Sequence, residues 1–397
     1  MKAIERQFEF EELFFSRTTL SGVIQSGNSV FRKISAFDWS DLINKPHSLI
    51  RHPDMPRGVF FLFWETLKSG KPIGAYVKNR AKTGEYYWVY ALAFPLEKGY
   101  LSVRLKPSSQ IFNEVKRVYK DLLTQEKEKK LNPKDSMLFI LDQVSKLGFN
   151  TYEDFMTTCL VAELTSRNQK LMISENPLME KMGTLASAAT RVNELSSKVN
   201  TIFGQYTKVP LNMEILAAHL GSDGASLSVV ANRYEKMATE IKNKISEFIT
   251  LNSQVMGGVN VSQFQVASSI LQQEMIHYFE KESDVGPVDL ELEMSFLRNL
   301  YNSGLSKATS AVKTAESILG QFQSSCEELK QLSLGLEIVR LTGKIEASKI
   351  NQRIPEVSHL LEELSNFKSS LSLTIDELDK LSNMMRDHAF EISTRLK

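Results

Sequence analysis

The chain has 397 residues, 42% of them apolar, which is enough for two or three domains with their own cores. Lysine and arginine number 48 against 47 aspartates and glutamates, a net charge of +1 with both signs interspersed. That balance argues against a nucleic-acid or polyanionic partner. No run reaches the ~18 consecutive apolar residues of a membrane helix. The N-terminus, MKAIERQFEFEELFF, sets glutamates among its apolar positions and has no small-residue cleavage site, so a cytoplasmic protein with no signal peptide and no membrane span is expected.

In chain order, ELFFSRT and GVIQSGN predict two short strands around a turn at Leu20–Gly22. SVFRKISAF predicts a short helix, and DWSDLINK a second with Asp38 or Ser40 as its N-cap. MPRGVFFLFWETLKSG predicts a longer helix that opens at Met55–Pro56 and closes at Gly70, the position after a helix that glycine favours. PIGAYVKNRA, EYYWVYALAF and YLSVRLK predict three strands joined by the turns Lys82–Thr83–Gly84 and Glu97–Lys98–Gly99. The expected fold is a small α+β domain over residues 1–107, a five-stranded antiparallel sheet whose short helices cross one face and leave a pocket.

Beyond Pro107 the chain is rich in Leu, Ser, Glu and Lys and reads as all-α. Breaks are expected at Pro133, Gly148, Pro177, 209–224, Gly257–Gly258, Gly286–Pro287 and Pro355. Leu227, Val230, Tyr234, Met237 and Ile241 step by three and four, as do Val357, Leu360, Leu364, Phe367 and Leu371, while Leu185, Val192, Val199 and Tyr206 recur every seven. Such seams pack helices side by side at shallow angles. A helical connector over 108–174 and a helical bundle over 175–397 are expected, with a hairpin tip near 221–224. Cys159 and Cys326, the only cysteines, read as small buried apolar groups.

The densest polar chemistry lies in HSLIRHPDMP, which puts His47, Arg51, His52 and Asp54 on a proline-stiffened turn. As a metal site the two histidines are five apart rather than four, and no further cluster supports them. As a purely structural element, Arg51 and Asp54 would pair and cap the helix at Pro56. Phe60 and Trp64, four apart, share a helix face and suit a core or a cofactor wall. There is no P-loop, GxSxG, HExxH or CxxC, and His219, His277, His359 and His388 are scattered one per helix, so an enzyme is not expected.

Together, GNSVFRKISAF, KPHSLIRHPDMP and FWETLKSGKPIGAYVKNRAKTGEYYWVYA resemble the PAS domain of aerotaxis receptors over about residues 10–107. The resemblance implies a sensor of redox or respiratory energy that holds FAD non-covalently and reports to chemotaxis signalling; haem is the alternative, since some related sensors carry it, with His47 or His52 as ligand. By matching position it implies a pocket role for Asn28, roles in flavin binding or signalling for His47, Arg51, His52 and Asp54, ring contacts for Phe60 and Trp64, and an inward amide at Asn79. Arg51, Lys78 and Arg80 are the cations available for a diphosphate, because no glycine-rich dinucleotide fingerprint is present. A reading from another class also stands: a docking or dimerisation module that takes no cofactor.

NMEILAAHLGSDGASLSVVANRYEKMATEI is similar to the hairpin tip of methyl-accepting chemotaxis receptors, with SVVA and the later MA in register. That implies a chemotaxis kinase and its adaptor as partners. The departures at His219, Leu220, Asn232 and Arg233 leave that coupling open. The seams and the PAS sheet both favour a homodimer. The later segment LGLEIVRLTGKIEASKI fits none of these roles.

Overall fold

The structure is a computed structural model that describes residues 4–206, 208–282, 287–349 and 355–396. It begins with β1 (Phe14–Thr18) and β2 (Ile24–Gly27), followed by α1 (Ser29–Ser35), α2 (Trp39–Leu42), a 3-10 turn at His47–Ile50 and α3 (Arg57–Lys68). Then come β3 (Ile73–Arg80), β4 (Tyr86–Leu96) and β5 (Gly99–Leu105). The five strands pair antiparallel in the order β2-β1-β5-β4-β3. Local chemistry sets the ends of the helices: Asn28 accepts from the Phe31 amide at the start of α1, and α3 stops at Ser69 with Gly70 next at a φ of 80°.

Strand alternation divides the sheet into two faces. Val77, Asn79, Ala91, Ala93, Ser102 and Arg104 look toward α3. Tyr76, Trp88 and Tyr90 look the other way, onto α4 (Gln110–Glu128) and α6 (Tyr152–Leu171), while α5 (Pro133–Lys146) packs along α3. Tyr76 stacks on Phe112 at 5.2 Å, and the Tyr90 hydroxyl donates to the Met156 carbonyl at 2.7 Å. A buried carboxylate ties this layer together. Glu163 accepts from the Tyr76 hydroxyl at 2.8 Å, the Ser109 hydroxyl at 2.6 Å, and the backbone amides of Ser108 and Ser109 at 2.5 and 3.1 Å.

No side chain of its own turn caps α3. Glu126 of α4 accepts from the amides of Arg57 and Gly58 at 2.7 and 3.3 Å, and the Ser136 hydroxyl accepts from Gly58 at 3.0 Å. Gly58 must be glycine for this approach, since a Cβ would stand 2.4 Å from the Ser136 carbonyl carbon. An Arg51–Asp54 cap, the purely structural alternative for this turn, is therefore not what opens α3.

The remaining helices are α7 (Pro177–Tyr206), α8 (Val209–His219), α9 (Ala225–Glu280), α10 (Leu290–Lys349) and α11 (Pro355–Arg395). The chain packs as two compact units, Met1–Met179 with Asn260–Ala308 and Glu180–Val259 with Thr309–Lys397. The helices expected as a connector belong to the first unit and cover the outer face of the sheet. The end of α9 and the start of α10 lie against β1, where Phe15 meets Phe279 edge-on at 4.9 Å and Arg17 pairs with Glu293 through bonds of 2.8–3.0 Å.

In the second unit α7, α9, α10 and α11 pack side by side and antiparallel. Asn252 of α9 donates to the Ala189 carbonyl of α7, Arg191 of α7 pairs with Glu377 of α11, Lys330 of α10 pairs with Asp379 of α11, and Lys244 of α9 pairs with Glu328 of α10. The seam residues Leu227, Val230, Tyr234 and Ile241 are buried, as are Val357, Leu360, Leu364, Phe367 and Leu371. A 3-10 turn at Gly221–Gly224, where a hairpin tip is expected, joins α8 to α9. The expected break at Gly257–Gly258 is absent, because α9 runs through it. Gly258 instead lets α10 come close: a Cβ there would lie 3.1 Å from the Ala311 carbonyl oxygen. The expected break at Gly286 lies outside the described residues. Among the described residues no helix is long and apolar enough to cross a membrane.

Candidate functional site

A cavity of about 260 Å³ lies between α3 and the inner face of the sheet. Phe60, Phe63 and Trp64 of α3 form one wall, and the small side chains Ala91 and Ala93 with Val77 form the floor. Trp64 meets Tyr100 edge-on at 5.5 Å. Gly22, at a φ of 77°, lets the β1–β2 turn close over the indole; a Cβ there would sit 3.2 Å from the ring.

The polar end of the cavity is built around Arg104, which is 5% exposed. Its Nη2 donates to the Ser16 hydroxyl at 2.7 Å and to His47 Nε2 at 2.9 Å. A guanidinium only donates, so His47 Nε2 is the acceptor and the imidazole proton sits on Nδ1. Burial and the neighbouring cation push the His47 pKa down to about 3. Burial lowers Arg104 to about 10, which leaves it charged at neutral pH. Its Nη1 is buried with no acceptor among the described residues. Buried cations need a partner, and no carboxylate supplies one here.

His47 thus sets a pH dependence. An ordinary histidine titrates near 6.5, so between about pH 6.5 and 3 the unfolded chain holds a proton that the folded His47 refuses. Its contribution to stability is complete above pH 6.5 and is lost as the pH falls. Between pH 7 and 5 the wild type should lose about 2 kcal/mol more than His47→Gln. Denaturant midpoints of both chains at the two pH values check this, and equal losses would contradict it.

The other residues singled out in the sequence divide cleanly. Asn79 is 3% exposed and lines the cavity, and its side-chain amide makes no hydrogen bond among the described residues. Phe60, Trp64, His47 and Arg51 also line it. The Arg51 guanidinium lies 4.1 Å over the Phe60 ring and donates to the Met55 carbonyl at 3.4 Å; it does not pair with Asp54. Asn28 is not in the cavity. Its Oδ1 accepts from the Phe15 and Phe31 amides and its Nδ2 donates to the Leu13 carbonyl, so a buried cap has used its polar atoms. His52 and Asp54 lie outside as well. His52 Nδ1 accepts from the Asp54 amide at 3.0 Å, its own amide donates to the Lys78 carbonyl, and the exposed Asp54 carboxylate sits 3.4 Å from Lys78. This pair braces the turn against β3 and so places Arg51. Lys78 and Arg80 do not line the cavity. Histidines 47 and 52 with Asp54 therefore do not converge on a metal.

Sequence reading missed Arg104 and Ser102. The signal was present: in YLSVRLK every second residue is polar or aromatic, an unusual pattern in a strand buried on both faces. The result is a slot with flat apolar walls and two polar residues in its lining, an amide that both donates and accepts and a cation that donates. It suits a planar ligand with carbonyl or negatively charged edge atoms.

Residues 26–102 match the model of the PAS fold family. Over 112 residues the chain is 38% identical to the aerotaxis receptor of Escherichia coli (strain K12), a match that spans 27% of this chain and 22% of that receptor. Among solved structures, the PAS domain of a protein from Colwellia psychrerythraea aligns with a TM-score of 0.21 at 17% identity, over 24% of this chain and 85% of that one. A blue-light activated histidine kinase from Erythrobacter litoralis aligns with a TM-score of 0.25 at 12% identity, over 45% and 58%. The N-terminal sheet and its helices are thus a PAS domain similar to that of the aerotaxis receptor, followed by an all-α region as expected.

Proposed function

We propose that the chain is a cytoplasmic sensory signalling protein whose PAS cavity holds the flavin of FAD non-covalently. The observation that carries this is a slot walled by Phe60 and Trp64 whose lining includes a buried amide, Asn79, and a buried cation without a counter-charge, Arg104. The 38% identity to the aerotaxis receptor supports it. A bound flavin supplies electron transfer coupled to a change of charge and protonation at its ring edge. Arg104 holds a positive charge where negative charge is favoured, Asn79 exchanges donor for acceptor by rotating its amide, and the aromatic wall keeps water out. Haem fits less well: His47 Nε2 is occupied by Arg104, and His52 does not reach the cavity.

The relay follows from strand alternation. Ser16 faces Arg104 inside, while its neighbours Phe15 and Arg17 face Phe279 and Glu293 of α9 and α10 outside. Asn79 lies inside, while Tyr76 of the same strand faces Phe112 and Glu163 of α4 and α6. A change at the polar end of the cavity is felt by the helices on the other face of the sheet, and a few kcal/mol between two states suffices to shift such a balance. On this reading the tip, with His219, Asn232 and Arg233 exposed, meets a chemotaxis kinase or its adaptor.

Titrating the ligand-free chain with FAD and following flavin fluorescence tests the site. Micromolar binding is expected, weakened about 100-fold in Trp64→Ala through the loss of the aromatic wall. Equal binding by both chains would refute the assignment.

A further inference from the structure

The segment LGLEIVRLTGKI, residues 334–345, has two apolar faces. Leu336, Val339 and Gly343 turn into the helical bundle, where a Cβ on Gly343 would meet Leu361 and Val230. Leu334, Ile338, Leu341 and Ile345 turn outward and are 58%, 65%, 45% and 57% exposed. They step by four, three and four, the spacing of a helix–helix seam, on the side of α10 that the bundle leaves to solvent. Scattered exposed aliphatics are ordinary, but four in a seam register form a patch that wants a partner helix.

The borders of the seam say which helix. Glu337 and Lys344 flank it on one side, and Gly335 and Thr342 on the other. A two-fold axis passing between Ile338 and Leu341 sets Leu334 against Ile345 of a second copy and Ile338 against its Leu341. The same axis sets Glu337 beside Lys344 of the second copy, twice by symmetry, with the small residues on the opposite flank. A parallel pairing would instead bring Lys344 beside Lys349 of the second copy. Lys344 is exposed and has no partner among the described residues, whereas Glu337 also holds Arg340 at 2.6 Å. We infer that the 334–345 face of α10 is a self-association surface whose occupant is the same face of a second copy of this chain, antiparallel. This goes beyond the cofactor reading and does not depend on it.

Sedimentation velocity on the full chain, from micromolar to millimolar concentration, tests the surface. A dimer is expected. Ile338→Glu should weaken it at least ~100-fold by placing two charges in the seam. Glu337→Arg or Lys344→Glu alone should weaken it about fivefold through like-charge contact. The double variant Glu337→Arg/Lys344→Glu should recover wild-type association. A monomer throughout would overturn the proposal, as would a seam taken by lipid or by another protein, since the chain alone would then stay monomeric. A dimer that ignores Ile338→Glu places the contact elsewhere. Loss with Ile338→Glu but no charge-reversal recovery rejects the antiparallel register.

Discussion

Replacing Arg104 with methionine is expected to stabilise the ligand-free chain and at the same time to weaken its hold on flavin. The two effects have one cause. Arg104 is a buried cation whose two satisfied bonds run to neutral groups, the Ser16 hydroxyl and His47, while Nη1 has no acceptor among the described residues. Desolvating a charge without a counter-charge costs stability, and apolar replacements of similar size often recover it, here by about 1–3 kcal/mol. A ligand edge that accepts from Nη1 would reverse the balance, because charge-assisted bonds in a site closed to water are the stronger kind. Losing them should cost about 1.5–3 kcal/mol of binding, or roughly a 10- to 100-fold weaker Kd. Urea denaturation of the ligand-free proteins and a flavin titration measure the two sides. A variant that is less stable and binds flavin normally would assign Arg104 to the scaffold.

The second large effect is expected at Glu163. Changing it to leucine keeps the volume but leaves the Tyr76 and Ser109 hydroxyls and two amides at the start of α4 without their acceptor. Stranded donors in a buried layer cost about 3–5 kcal/mol in total. Glu163→Gln retains one acceptor oxygen and should lose about half of that. Equilibrium unfolding gives both values. A loss below about 1 kcal/mol for the leucine variant would mean that the α4–α6 layer does not depend on this carboxylate for its place on the sheet.

Local chemistry was the most legible part of the sequence. The glycine after α3, the prolines opening α5, α7 and α11, and the alternating strands each declare themselves within a few residues, and the structure follows them. The same is true of Phe60 and Trp64, whose spacing alone puts them on one side of α3. What was hidden depends on partners far away in the chain. Glu163 reaches back 54 and 87 residues to Ser109 and Tyr76, and no local pattern announces it. Arg104 becomes notable only once β5 is known to lie between β1 and β4. Asn28 was misplaced because a pocket amide and a helix cap call for the same residue, and only the bonds to Leu13, Phe15 and Phe31 decide between them. Gly257–Gly258 was misread because glycine serves both to end a helix and to let another approach.

If the slot between α3 and the sheet is a redox-cofactor pocket, as we propose, the absorption spectrum of the purified chain before and after dithionite will show it. Two bands typical of an oxidised flavin, at about 375 and about 450 nm, that bleach on reduction are the predicted result. A colourless chain that takes up no added FAD would contradict the claim and leave Arg104 and Asn79 to a different planar ligand.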